Sequence, residues 1–178
     1  MKKLIIIVVA GFFTQTVLAQ SNAVSKHFAQ FQRDTSFTKV SVSSRMFTLF
    51  DEIDPEDEEE AEILEAMSKL KGVKGLINER SEKSTELYYD AIATIESDAT
   101  YEELMTVEDA DENIQFSIRE ADGTIQELLM IVGGNKNFVV MSLYGEIDLN
   151  SIAKLTRKLG FKGMDQFRML EDDKNKKK

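Results

Sequence analysis

Three consecutive strand-like segments between residues 114 and 145 constrain the fold most. Apolar residues at 114, 116 and 118 alternate with polar ones, which is the period of a half-buried strand. Two further segments, "TIQELLMIV" and "NFVVMSLYG", are apolar on both faces in places. Asp122-Gly123 is a strong hairpin signal, and Gly133-Gly134-Asn135-Lys136 separates the last two segments. We therefore predict an antiparallel meander whose last two strands are central in a sheet.

Helical and strand-like patterns alternate before this meander. Residues 21–32 predict a short N-terminal helix, and a strand ("FTKVSVSSRMF"), a helix ("AEILEAMSKLKG"), a strand ("VKGLINE") and a helix ("STELYYDAIATIE") follow. Residues 97–112 are polar and carry no strand pattern, while residues 149–159 predict a last helix. The order β-α-β-α-β-β-β-α after the short helix predicts one α+β domain. We expect a mixed, roughly five-stranded sheet with helices mainly on one face.

The first twenty residues are organised like a secretory signal peptide. Lys2 and Lys3 precede an apolar run, and Val17-Leu18-Ala19 is suited to cleavage after Ala19. The apolar core is about ten residues, too short to span a bilayer, and without cysteine the chain has no site for a lipoprotein anchor. We predict a signal peptide at 1–19, a domain at 20–170, a flexible charged tail at 171–178, and a periplasmic or secreted protein without a stable membrane anchor.

The charge of the chain limits its partners. The formal net charge of −10 becomes −12 when Lys2 and Lys3 are removed with the signal peptide, which contains no acid. Nucleic acid and anionic membrane surfaces repel such a protein, so we predict no nucleic-acid partner. The absence of cysteine excludes disulfides and cysteine nucleophiles. Stability must therefore come from packing.

An acidic run, "DEIDPEDEEEAE", occupies residues 51–62 and contains nine acids in twelve residues. Calcium prefers clustered carboxylates, but the run lacks the glycine of an EF-hand loop and leads directly into a helix with an apolar stripe. Asp54 as N-cap, Pro55 at the first helical position and acids in the first turn would stabilise that helix. We favour the helix start and keep an acidic calcium-binding surface as an alternative.

Few residues are suited to catalysis. His27 is the only histidine, so a zinc site or a Ser–His–Asp triad would depend on it, and we interpret it as a surface or half-packed residue. Residues 133–136 lack the spacing of a Walker loop and indicate a hairpin turn. Glu146 and Asp148 have the chemistry of a glycosidase pair, although Asp148 stands where the N-cap of the last helix belongs. We predict no catalytic, cofactor-binding or metal-binding residues, and no enzyme activity.

The stretch "FVVMSLYGEIDLNSIAKLTRKLG" joins a strand ending in Gly to a helix opened by Ile-Asp-Leu. It resembles the exported bacterial family catalogued as domain of unknown function 4252. The resemblance covers residues 21–165 and extends to three further segments: "VSVSSRMFTLF", Lys-Gly-Val-Lys-Gly-Leu and the Tyr-containing second helix. It implies a small secreted or lipid-anchored α+β protein of Gram-negative bacteria. Gln20 stands here in place of the cysteine of lipoprotein members. The family implies no activity and no catalytic residues.

These patterns together predict an exported, non-enzymatic envelope protein. We expect a periplasmic module that binds another protein or a cell-envelope component and needs no cofactor. Helices on one face of the sheet would leave the other face or an edge strand to a partner. Two alternatives stay open: a carboxylate-dependent hydrolase that acts on envelope glycans through Glu146 and Asp148, and a calcium-binding surface at residues 51–62.

Overall fold

A six-stranded antiparallel sheet forms the centre of the protein. The computed structural model describes residues 22–159, without the side chains of residues 51 and 155–159. Across the sheet the strand order is β1-β2-β6-β5-β4-β3, so β5 and β6 are central, as predicted. The strands are β1 (Thr38–Ser43), β2 (Leu70–Asn78), β3 (Glu102–Glu108), β4 (Glu112–Ala121), β5 (Thr124–Gly134) and β6 (Phe138–Ile147).

Helices cover both faces of this sheet. They are α1 (Ala23–Lys26), α2 (Ser44–Thr48), α3 (Glu58–Ser68), α4 (Ser84–Glu96) and α5 (Leu149–Leu159), with 3-10 helices at Ala29–Arg33 and Phe50–Glu52. On the first face, α1 and α4 pack over a core that includes Leu129, Ile131 and Phe138. On the second face, α2, α3 and α5 surround a core that includes Phe116 and Leu128. The central strands are apolar on both sides because each side is covered.

The α+β class is confirmed, and the sheet differs from the expected one in detail. A sixth strand, β3, forms within the region that we expected to be a polar connection. Its residues Leu104, Met105 and Val107 are half-buried while its glutamates are exposed, because an edge strand packs against only one neighbour. The helices lie on both faces, whereas we expected them mainly on one.

Every neighbouring strand pair is antiparallel, whereas the sequence suggested a mixed sheet. The expected strand–helix–strand unit would have returned the chain in a parallel crossover. Instead, Ser43 at the end of β1 is paired with Gly72 near the start of β2. Residues 44–69 therefore leave and re-enter the sheet at the same end, and the two strands run in opposite directions.

Both predicted hairpin turns are present, and the predicted N-cap of α3 lies three residues from the observed one. Asp122 (φ 53°) and Gly123 (φ 74°) are both left-handed, as a two-residue hairpin turn requires, and the predicted hairpin is confirmed. The Gly134 N–H donates to the Asn137 carbonyl at 2.8 Å, which closes the second hairpin. The N-cap of α3 is Asp57, which accepts the Glu60 N–H at 2.8 Å, and not Asp54. Asp57 directly precedes three acids that fill the first turn.

The buried carboxylate of Glu127 holds the N-terminal segment, residues 22–28, against the first face. Glu127 lies on β5 and is 0% exposed. It accepts hydrogen bonds from the Ala23 N–H (2.6 Å), the Tyr101 hydroxyl (2.8 Å), Arg119 Nη2 (3.1 Å) and the Ser142 hydroxyl. Burial, and then the Glu127 charge, raise the pKa of Tyr101, so this hydroxyl stays protonated and donates. One carboxylate thus joins the segment to β4, β6 and the start of β3.

Asp98 is the second anchor of the N-terminal segment. It binds Lys26 Nζ, lies 2.9 Å from His27 Nε2, and accepts the Thr100 hydroxyl at 2.7 Å. The hydrogen bonds from Lys26 and Thr100 hold the pKa of Asp98 well below its ordinary value. His27 is half-buried, which agrees with its interpretation as a half-packed residue.

The Asp98→Asn variant is expected to be less stable than the parent at about pH 7, with a difference that shrinks below about pH 4. The folded-state pKa of Asp98 lies below the unfolded value of 3.8, so the ionised carboxylate stabilises the fold above that pH. This contribution is lost as the pH falls toward the folded-state pKa. Urea unfolding at about pH 7 and below about pH 4 measures the difference in free energy of unfolding between variant and parent. Asp90→Asn, at an exposed position, is the control. A difference that is constant with pH would contradict the assignment.

Candidate functional site

An apolar groove opens on the second face of the sheet. Its volume is about 240 Å³. Every lining side chain is apolar, and three are methionines. The lining residues are Phe47, Met67, Leu70, Val73, Phe116, Leu128, Met130, Met141, Leu143 and Ile152. The groove therefore has no side chain with which to hydrogen-bond an occupant.

The strand register builds the floor of the apolar groove. Phe116 on β4 is opposite Met130 on β5, which is in turn opposite Met141 on β6. The next position in that row is Gly75 on β2. Gly75 is buried, and a Cβ built there would lie 3.7 Å from Met141 Cε and 3.3 Å from Cβ of Val40, its partner on β1. The row therefore continues through a residue without a side chain to β1.

Three helices form the walls of the apolar groove. Phe47 projects from α2, Met67 from α3 and Ile152 from α5. Both α2 and the 3-10 helix at Phe50–Glu52 pack against α3. The helices cover the second face incompletely at the groove, where Met130 and Met141 are only half-buried.

Exposed apolar side chains continue from the wall formed by α2. Met46 is 50% exposed, Leu49 46% and Ile53 47%. Among the described residues, one other large apolar side chain, Tyr89 on α4, is as open to solvent. We call Met46, Leu49 and Ile53 the apolar rim. A single exposed apolar residue is ordinary, whereas these three fall within eight positions of the chain and close in sequence to the lining residue Phe47.

The acidic run overlaps the apolar rim along the chain, because Ile53 lies within residues 51–62. Residues 51–62 contain no lysine or arginine, and their described side chains are exposed or half-buried. Several of these acids are bound locally: Glu60 accepts the Glu56 N–H at 2.8 Å, and Glu62 pairs with Lys154. The described part of the chain contains no group of three acidic or histidine side chains placed to hold a metal ion. The run gives this side of the groove a negative potential.

A family comparison covers most of the fold just described. The family model described as domain of unknown function (DUF4252) matches residues 31–155 of the 178-residue chain. The chain belongs to the DUF4252 family. No curated protein matches the chain in sequence.

The apolar groove and rim lie within the part of the chain that matches the DUF4252 model. Lining residues run from Phe47 to Ile152, inside the matched range 31–155. The N-terminal segment at residues 22–28 precedes that range, although Glu127 and Asp98, which hold it, lie within it. The groove thus lies inside the matched part of the chain, and the N-terminal segment lies before it.

The structure brings Glu146 and Asp148 to one cleft of about 340 Å³ between α3 and α5. The charged residues that share this cleft are Glu62, Glu65, Lys69 and Lys154. The two lysines are already paired, Lys69 with Glu65 at 2.7 Å and Lys154 with Glu62. The predicted pair is therefore close in space but set among ion pairs.

Asp148 is the cap of α5, as predicted. Its carboxylate accepts the Asn150 N–H at 3.1 Å, the Ser151 N–H at 3.3 Å and the Ser151 hydroxyl at 2.7 Å. Burial alone would raise the pKa of Asp148, but these hydrogen bonds outweigh it and hold the pKa below its ordinary value. A general acid needs the opposite shift. The local role of Asp148 is to begin a helix.

The remaining predictions fall on residues outside the described range or on the chain as a whole. The signal peptide at 1–19, the tail at 171–178 and the cleavage point after Ala19 lie outside residues 22–159. Within that range, none of the helices is long and apolar enough to cross a membrane.

Sequence reasoning missed both the groove and Glu127. The methionines of "TIQELLMIV" and "NFVVMSLYG", and the one acid within the first of these segments, were the available signals.

Proposed function

We propose that this DUF4252 protein is an exported, non-enzymatic module of the cell envelope that binds another protein through the apolar groove and its rim. The observation that carries the proposal is an open, wholly apolar groove together with Met46, Leu49 and Ile53, each about half exposed and close in sequence to the lining residue Phe47. Contiguous apolar surface of this kind on a soluble domain typically contacts a partner. The leader-like residues 1–19 support the export part of the proposal.

The size of the groove favours a partner's side chains over a free small molecule. Small-molecule sites are typically about 300–1,000 Å³ and contain a few polar groups that orient the ligand. This groove is about 240 Å³ and offers no polar side chain. One or two aliphatic or aromatic side chains would fill it, while the exposed rim would contact the adjoining surface of the same partner.

Photo-crosslinking in intact cells tests the binding proposal. A photoreactive amino acid replaces Leu49 in the apolar rim, and in a matched control it replaces Tyr89, which is equally open but lies on α4. We expect a discrete crosslinked species from position 49 that is absent from position 89. Identical products at both positions, or only abundant bystander proteins, would overturn the proposal.

The export part has its own test. Mass spectrometry of the protein recovered from the periplasmic fraction is expected to give a mature chain that begins at Gln20. Replacing Ala19 with a bulky residue should slow this cleavage and leave the precursor attached to the inner membrane. A full-length chain found in the cytoplasm would contradict export without bearing on the groove.

A further inference from the structure

We infer that the groove's occupant is a cationic amphipathic segment of a partner protein, whose apolar side chains enter the groove while its lysines or arginines face residues 51–62. This inference rests on the proposed function and names the chemistry of the partner. It combines an apolar groove, an apolar rim and a one-signed charge beside them.

The lining determines what can be buried. A polar group that enters a site without hydrogen-bonding partners loses its water at a cost of about 1–3 kcal/mol. Because all ten lining residues are apolar, the buried part of the occupant must consist of aliphatic or aromatic side chains. The backbone and polar side chains of the segment must stay outside the groove, where water reaches them. That division is the definition of an amphipathic segment.

The methionines make the groove adaptable in shape. Met67, Met130 and Met141 line it, and Met46 is half exposed at its rim. Methionine is unbranched and polarizable, so it fits apolar side chains of different shapes with little loss of packing. Surfaces rich in methionine accept several related sequences. The pattern of apolar and charged residues, more than one unique sequence, would then define the partner.

The acidic run determines the charge of the partner. Residues 51–62 begin shortly after the helix of Phe47 and extend into the first turns of the helix of Met67, both of which line the groove, and they carry nine acids and no basic residue. A cationic segment that approaches the groove is attracted over about a Debye length and is oriented before contact. A second copy of this chain or an anionic lipid surface is repelled by the same charges.

Labelled synthetic peptides test the inference by fluorescence anisotropy against the mature chain, residues 20–178. Peptides of about 18 residues carry leucine and phenylalanine at helical or at alternating spacing, with lysine at the other positions. Matched peptides replace every lysine with glutamate, and a scrambled lysine peptide keeps the composition. We expect binding of an ordered lysine peptide, weaker binding at high salt, and none of the glutamate peptides.

Two sets of variants locate the binding. The triple variant Glu56→Gln, Glu58→Gln, Glu59→Gln should bind the lysine peptide at least about tenfold more weakly than the parent chain. The control triple variant Glu102→Gln, Glu103→Gln, Glu108→Gln removes the same charge from exposed positions on β3, at the opposite edge of the sheet, and should leave the affinity nearly unchanged.

The double variant Met46→Ser, Leu49→Ser tests the apolar part, and circular dichroism checks that this variant is folded. Because both side chains are about half exposed, the fold should survive while peptide binding is lost. Equal binding of the glutamate peptides, or equal weakening by both triple variants, would overturn the inference. A specific crosslink at position 49 without any peptide binding would overturn it too and leave the proposed function standing. If the chain bound anionic vesicles or associated with itself and did not bind the peptides, the inference of a cationic protein segment would be overturned.

Discussion

The Glu127→Leu variant is expected to lose about 3–5 kcal/mol of its free energy of unfolding. The Glu127 carboxylate is fully buried and accepts hydrogen bonds from Ala23, Tyr101, Arg119 and Ser142. Leucine has a similar volume but accepts none of them. The Arg119 guanidinium would lose its ion-pair partner in a position where it is only 17% exposed. Removing one member of a buried pair costs more than the pair itself contributes, because the remaining charge stays desolvated.

Urea unfolding followed by circular dichroism measures this loss. Glu127→Gln keeps one amide oxygen as an acceptor and should lose less than the leucine variant. Glu120→Leu is the control, because Glu120 lies near the end of the neighbouring strand β4 with an exposed side chain, and its stability should stay within about 0.5 kcal/mol. A leucine variant at position 127 that loses under about 1 kcal/mol would contradict the buried network.

The same variant should loosen the N-terminal segment before the rest of the fold. The Ala23 N–H donates directly to Glu127, while Lys26 and His27 keep their contact with Asp98. Hydrogen exchange at residues 22–28 is therefore expected to accelerate more than exchange in β5 and β6. Equal acceleration in the segment and in β5 and β6 would mean that Glu127 contributes only to global stability and does not act as a local anchor.

Features encoded by neighbouring residues were predictable from the sequence. The Asp122-Gly123 hairpin needs two left-handed residues in succession, and both are visible in the sequence. The central position of β5 and β6 followed from segments that are apolar on both faces. Asp148 as a helix cap was predictable for the same local reason, since its partners are two and three residues away.

Features that depend on distant pairing were not predictable. The antiparallel pairing of β1 with β2 depends on where residues 44–69 re-enter the sheet. The polar sequence of β3 concealed a strand because its outer side meets water. The groove is lined by three helices from different parts of the chain, α2, α3 and α5, which meet on the second face. Glu127 gave a local signal, an acid within an apolar strand, but its four donors come from four separate segments.

Gly133→Ala is the second substitution with a large expected effect, at about 3 kcal/mol or more of lost stability. Gly133 is buried on β5, where α4 crosses the first face. An added Cβ would lie 2.7 Å from Tyr88 Cγ and closer still to Tyr88 Cβ. A ring can turn about its χ angles, but the position of Cβ is fixed by the helix backbone. The methyl group therefore forces α4 away from the sheet.

Gly75→Ala is the matched control for this effect, because Gly75 is also a buried glycine within the sheet. Its added Cβ would approach Val40 Cβ only to 3.3 Å, a contact that a small shift relieves. In thermal and urea unfolding, the free energy of unfolding of Gly133→Ala should be well below that of Gly75→Ala. Since Tyr88 is 2% exposed and burial raises its pKa to about 12, displacement of α4 should also lower that pKa toward 10, which a spectrophotometric titration detects. Equal stability of the two variants would show that α4 yields easily, and Tyr88 would then not fix the helix to the sheet.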